Sequence, residues 1–204
     1  MSPVARDRGV RVGVAALEDD ARVDFRSLRA QRREKVFSGM ETHDLDALIL
    51  GGAGNVHYVT GARVLGRAGV LPFAPVCVVM RSTGRVHLLS TWDEGVPPEI
   101  PREDLYPLSW NPLNLMASVA AIPGLRQAKR IGTDGMTTGF ASSLGLTGTA
   151  ELVDAGPVLD AARRIKLAEE ITCLEVAAAI SESALAVLAS ALTPGVTERE
   201  LLGV

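Results

Sequence analysis

Residues 46–61 read DALILGGAGNVHYVTG. Asp46 to Leu50 is a short apolar run of strand length, and Gly51-Gly52 ends it. The segment beyond carries Asn55, His57, Tyr58 and Thr60. The stretch reads as a buried strand, a glycine-rich turn and a short polar-bearing segment, and open α/β sheets place ligand contacts at junctions of this kind. The glycines do not complete a phosphate loop. G-x-G-x-x-G requires glycine where His57 stands, and no G-x-x-x-x-G-K follows. A tight strand exit with close helix approach and a ligand turn both remain open readings of Gly51, Gly52 and Gly54.

The elements around this stretch alternate. Phe25, Leu28, Val36, Phe37 and Met40 give one apolar stripe, so a helix is expected from Asp24 to about Thr42. Val70 to Met80 and Arg85 to Leu89 form a hairpin around Ser82-Thr83-Gly84, with Pro72 and Pro75 confined to a strand start or edge. A loop rich in proline and acid follows from Thr91 to Arg102. Asn111-Pro112 opens a helix that Pro123-Gly124 stops, because asparagine caps the first turn and proline fits its first position. Lys129 to Thr133 is a strand, Thr137 to Leu144 a short helix, Glu151 to Val153 a strand, and Pro157 to Lys166 a short helix. The fold class is α/β, with a mixed sheet because of the hairpin. From Leu167 to Leu192 a long helix is expected, carrying Ile171, Leu174, Ala178, Leu185, Leu188 and Leu192 on or near one face. Thr193-Pro194-Gly195 stops it, and Thr197 with Glu200 forms a capping box for another helix. Val204 follows within a few residues, too few to propagate a helix, so the sequence is expected to be part of a longer, truncated protein.

Composition narrows the function classes. Of 204 residues, 47% are hydrophobic and 22% charged, with a formal net charge of −3, which fits a globular protein and argues against nucleic-acid binding. The arginines from Arg22 to Arg33 have Glu18, Asp19, Asp20, Asp24 and Glu34 among or beside them, as a solvated helix face would. Residues 1–23 carry charge at close intervals and read as a flexible extension with no secretory apolar core. The apolar run Val70 to Met80 is too short to span a bilayer. Cys77 and Cys173 form no metal or redox spacing and read as free thiols in a reducing compartment. The expected location is cytoplasmic, with no membrane and no nucleic-acid partner.

Residues with chemical potential are few. His43, His57 and His87 show no zinc-type spacing, and no G-x-S-x-G turn presents a serine. Asp93, Glu94 and Glu99 form an acidic loop that is either solvated or a cation site. Independent catalysis through Asp93, Glu94, His57 or Tyr58 is a third-ranked reading.

Two stretches together resemble one family. Asn55 to Gly61, N-V-H-Y-V-T-G after an apolar strand, resembles the N-x-x-Y-x-T-G signature of the creatinase-type N-terminal domain. Arg164-Ile165-Lys166, Glu170-Ile171 and Leu192-Thr193-Pro194-Gly195-Val196-Thr197-Glu198 resemble the opening of the pita-bread catalytic half of aminopeptidase P, prolidase and creatinase. The resemblance covers about residues 24 to 204. It implies a six-stranded mixed sheet flanked by helices over residues 24–160, and the start of a truncated pita-bread domain, with its first long helix, over 161–204. It also implies hydrolysis of X-proline peptide bonds, or C–N cleavage of a guanidino compound, by two divalent metals (Mn, Co or Zn) held by two aspartates, a histidine and two glutamates. Those ligands belong to the catalytic half, and none maps onto a residue here.

The resemblance therefore implies an accessory domain that shapes a substrate channel and drives oligomerisation, inactive alone, with no cofactor in this chain. Asn55, Tyr58 and Thr60 carry over as channel-lining or structural residues, with Arg63 and Trp92 as further candidates. Partners would be a homo-oligomer or a catalytic half encoded downstream. The alternative is a stand-alone, non-catalytic domain for dimerisation or small-ligand binding.

Overall fold

The computed structural model describes residues 22–62, 77–90, 95–109 and 111–203. The chain forms two compact units: Arg29–Ile165, and a second made by the segments on either side of it. The expected extension over residues 1–23 lies almost wholly outside the described residues, as do residues 70–76 of the expected hairpin.

Helix α1 (Phe25–Thr42) starts where Asp24 Oδ1 accepts the Ser27 amide at 3.0 Å, as an N-terminal cap does. Its buried stripe is Leu28, Val36 and Met40. The chain then turns through Asp44, a non-glycine residue at φ 50°, into β1 (Ala47–Leu50).

Strand β1 is buried along its whole length because both its faces are covered. Leu48 and Leu50 enter a core built with Val36 and Met40 of α1, Val56 and Val59 of α2 (Ala53–Thr60), and Val158 and Leu159 of α5 (Gly156–Arg164). Ala47 and Ile49 point the other way, into a core shared with Leu115, Met116 and Val119 of α3 (Pro112–Ala120). An alternating strand covered on both sides reads as a continuous apolar run, which is what A-L-I-L is.

The sheet has six strands in the order β4-β3-β2-β1-β5-β6. β1 pairs antiparallel with β2 (Cys77–Met80) and parallel with β5 (Arg130–Thr133), so both pairing modes meet at this central strand. β2 and β3 (Arg85–Ser90) form the expected hairpin, turned at Gly84 with φ 64°. β6 (Glu151–Asp154) lies parallel to β5 at one edge, and α4 (Thr138–Ser143) precedes it, capped by Thr137. β4 (Leu105–Pro107) lies parallel to β3 at the other edge. This mixed, helix-flanked sheet matches the fold expected of the sequence, although β4 has no signal of its own there. Three residues ending in proline make a strand only when a neighbour supplies the ladder.

The second unit holds α6 (Ala168–Ala191) and α7 (Glu198–Leu201). Leu167, Cys173 and Val176 pack with Val23, Phe25 and Leu28. The Leu167 amide donates to Glu170 Oε2 at 3.0 Å, and the Thr197–Glu200 capping box forms as the sequence indicates. By length and composition alone α6 is apolar enough to cross a membrane, a test that core helices of soluble proteins also pass. Among the described residues it exposes Leu174 and Leu185 by more than half, and Leu192 just past its end is exposed likewise.

Two outcomes test this packing. A Cβ at Gly132 of β5 would lie 2.7 Å from Leu48 Cδ2 and 2.9 Å from Leu45 Cδ1, both in a closed core. Gly132→Ala is expected to lower stability by about 1–3 kcal/mol in urea unfolding. Asp46 Oδ2 accepts the amides of Lys129 at 2.7 Å and Arg130 at 3.1 Å, while Oδ1 meets Arg81 at 3.2 Å. Those bonds, the Lys129 amide first, hold its carboxyl below the ordinary range. Its contribution is full above the ordinary carboxylate pKa of about 3.9 and is lost as pH falls through the depressed folded value. Asp46→Asn should be less stable near neutrality and show a shallower loss on acidification, read from unfolding midpoints across that window.

Candidate functional site

The glycine-rich turn at the carboxyl end of β1 closes on the carboxyl end of β5. Asp134, the first residue after β5, accepts the Gly51 amide on Oδ1 at 2.8 Å and the Gly52 amide on Oδ2 at 2.9 Å. Asn55 Nδ2 donates to the same Oδ2 at 2.7 Å. Three donors thus converge on one carboxylate. The turn has the form of an anion loop, and its anion is the chain's own side chain. A Cβ at Gly52 would stand 2.8 Å from Asp134 Oδ2, so glycine is needed there for close approach. Of the two open readings of these glycines, the tight exit from the strand is the one the geometry supports.

Helix α2 then presents the other predicted residues. Asn55 is inside the first turn and caps nothing; Gly52 is the cap residue, without a side-chain bond. Tyr58 is buried and its hydroxyl donates to the Ala162 carbonyl of α5 at 3.0 Å. The guanidinium groups of Arg32 and Arg163 lie 4.9 and 4.8 Å from its ring centroid, within cation–π range. Arg163 also donates to the Gly54 carbonyl at 3.0 Å. Thr60 is buried, donates to Val56 O at 2.7 Å and accepts the Ala62 amide at 3.0 Å. Gly61 sits at φ 71° and returns its amide to His57 O, a left-handed helix ending that a side chain would strain. His57 is exposed, with Nδ1 3.0 Å from Ala62 O.

Each residue of N-x-x-Y-x-T-G therefore has a structural task in the segment from β1 to the end of α2. Asn55 ties the helix start to β5, Tyr58 ties its flank to α5, and Thr60-Gly61 terminate it. Asn55, Tyr58 and Thr60 lie together on α2; Arg63 and Trp92 lie outside the described residues, as do Asp93 and Glu94. Glu99 does not stand ready for a cation. Arg29 grips it through Nε at 3.1 Å and Nη2 at 2.9 Å. Among the described residues, no group of three or more His, Cys, Asp or Glu could hold a metal ion.

Reading the sequence missed Asp134, Arg33 and Arg163. Arg33 Nε and Nη2 cap the end of α2 at Val59 O and Thr60 O, at 3.1 and 3.3 Å, and burial pushes its guanidinium pKa down. The only local sign of Asp134 is its place after an apolar strand and before Gly135. An open groove of about 680 Å³ between α1 and the β2–β3 turn is lined by Glu34, Phe37, Ser38, Glu41, Arg81 and Gly84, and contains none of the predicted site residues.

Asp134→Ala leaves two backbone amides and one side-chain amide without their acceptor, and a hydrogen bond to a charged group contributes about 1.5–3 kcal/mol. A loss of about 2–3 kcal/mol is expected in urea unfolding, by that scale. Asn55→Ala should cost less, and the double variant should fall short of the sum because the two share one carboxylate. Additive losses would show that the two side chains act separately.

The pattern of the creatinase/prolidase N-terminal domain matches residues 32–165. Among solved structures, the prolidase from Pyrococcus horikoshii OT3 superposes with a TM-score of 0.60 at 20% identity, over 83% of this chain and 45% of that one. The Xaa-Pro dipeptidase from Bacillus anthracis superposes with a TM-score of 0.58 at 19% identity, over 85% and 46%. Dipeptidase PepE from Mycobacterium ulcerans gives 0.53 at 19%, over 86% and 47%. The chain spans about half the length of these structures, and at such identity they establish the shared fold. No curated protein matches the chain. With the pattern matching over most of its length, the chain belongs to the creatinase/prolidase N-terminal domain family.

Proposed function

We propose that this chain serves as the accessory part of an Xaa-Pro-type peptidase or related creatinase-type hydrolase. In this reading residues 24–160 border a substrate channel and residues 161–204 open a catalytic domain that holds two divalent metals (Mn, Co or Zn) in a full-length protein. The observation that carries it is the family match over residues 32–165. The likeness to structures described as a prolidase and an Xaa-Pro dipeptidase supports a proline-containing peptide as substrate, and creatinase membership keeps a small guanidino compound open.

The β1–α2 turn is the wall segment in this proposal. Asn55 is partly exposed and faces the rim. Tyr58 and Thr60 act from behind, by fixing α2, and Arg63 and Trp92, outside the described residues, stay candidates for the same role through the family resemblance alone. The chain alone is then inactive, cytoplasmic, and dependent on a catalytic half or on copies of itself.

Purified chain supplied with manganese and Xaa-Pro dipeptides should show no turnover above the blank. Metal-dependent turnover that follows the chain through purification would overturn the assignment. The exposed leucines of α6 favour a second reading, a stand-alone association domain. A discrete, fully folded dimer with α6 amides protected from exchange would select that reading, and heterogeneous association would select the first.

A further inference from the structure

The groove between α1 and the β2–β3 turn lies wholly within the Arg29–Ile165 unit. Glu34, Phe37, Ser38 and Glu41 stand at helical spacing on α1 and form one stripe, which makes the first wall. Arg81 and Gly84 at the hairpin turn make the second. Phe37 is the apolar element of the stripe, partly buried and packed against the core beneath it.

Charge along α1 is segregated. The helix FRSLRAQRREKVFSGMET carries five Lys and Arg. Yet the residues three and four positions from Glu34 are Gln31, Ala30, Phe37 and Ser38, and those from Glu41 are Ser38, Phe37, Asp44 and Leu45. No cation stands where a helical ion pair with either carboxylate would form. The basic side chains serve elsewhere. Arg29 grips Glu99, Arg33 caps α2, Arg32 lies over Tyr58, and Lys35 donates to the Ile165 carbonyl at 2.5 Å. Arg81, the cation among the described lining residues, is held by Asp44 at 3.1 Å and by Asp46 at 3.2 Å. Glu34 and Glu41 are exposed, and among the described residues neither has an ion pair.

We propose that this groove is a docking surface for a basic segment of a partner protein, one that presents two arginine or lysine side chains about 10 Å apart. Charge complementarity selects the occupant. Glu34 and Glu41 lie two helical turns apart, which at about 1.5 Å per residue separates them by about 10 Å. One small cation cannot bridge both carboxylates at that separation, whereas a chain with two cations can. The aliphatic stems of those side chains cross Phe37 between the carboxylates and cover it, and a guanidinium above its ring adds a cation–π contact. The groove volume of about 680 Å³ is of the size that takes a ligand-sized group of side chains. Polyproline-type chain returns to the same face every three residues, about 9 Å on, so cations three positions apart match the spacing.

NMR amide mapping of the intact 204-residue chain tests this, with the peptide acetyl-Pro-Arg-Pro-Pro-Arg-Pro-amide as probe. Saturable shifts are expected at the Glu34, Phe37, Ser38, Glu41 and Gly84 amides, with Leu48 and Ile49 unmoved. Glu34→Gln and Glu41→Gln, both at exposed positions, should each weaken binding by about two- to fivefold, the scale of an exposed ion pair. Added salt should weaken it further. A peptide with its two arginines adjacent should bind less tightly than the spaced one. Absence of saturable shifts at these amides, or unchanged affinity in both glutamine variants, would overturn the proposal. So would equal affinity for the adjacent-arginine peptide, for a peptide with glutamate in place of arginine, or for spermidine, which would mark a site for free cations. Shifts at the same amides that follow protein concentration without peptide would give the groove to a second copy of the chain and refute the proposal as well.

Discussion

Two aspartates clasp β1 to β5, one at each end of the pair. At the entrance Asp46, just before β1, accepts the amides of Lys129 and Arg130 at the start of β5. At the exit Asp134, just after β5, accepts the amides of Gly51 and Gly52 that follow β1. The ladder between them is only three residue pairs long. Backbone amides beyond the ends of so short a ladder would otherwise lack partners, and buried unpaired donors cost more than the bonds that satisfy them return. This pair lies at the centre of the sheet and joins the β4-β3-β2-β1 side to the β5-β6 side, so the register of both sides passes through it.

The same clasp explains why the glycine-rich turn is not a phosphate site. The converging donors exist, but Asp134 satisfies them from within the chain. What remains at the rim is α2, whose orientation is set by Asn55 at its start, Tyr58 on its flank and Arg33 at its end. A helix tied at three places makes a rigid wall. The proposed role beside another domain's chemistry would require such rigidity, since a wall that moved would misplace a substrate.

The sequence reading reached most elements through local physics. The Asn111 cap and the Thr197–Glu200 box bond within three residues, so the pattern that encodes them is complete in a short window. The buried run of β1 was legible for a similar reason, because covering on both faces leaves an unbroken apolar signal. β4 was not legible, since Leu105-Tyr106-Pro107 has no strand signal apart from the edge of β3. The tie from Asn55 to β5 was not legible because its acceptor, Asp134, stands 79 residues away. Glu99 looked free because Arg29, its partner, comes from α1.

By itself, then, the sequence determined the α/β class, the helix caps, the N-x-x-Y-x-T-G segment and the family it points to. Those features depend on neighbours three or four residues away or on a run of like residues. The tertiary structure alone decided that Asp134 fills the glycine turn, that Tyr58 is bound to α5, and that His87 meets Asp104 at the sheet edge. Each joins groups from different elements, separated by up to 104 residues for Tyr58 and Ala162. Only folding sets such distances, because no local pattern in the chain encodes which distant group a buried charge or hydroxyl will find.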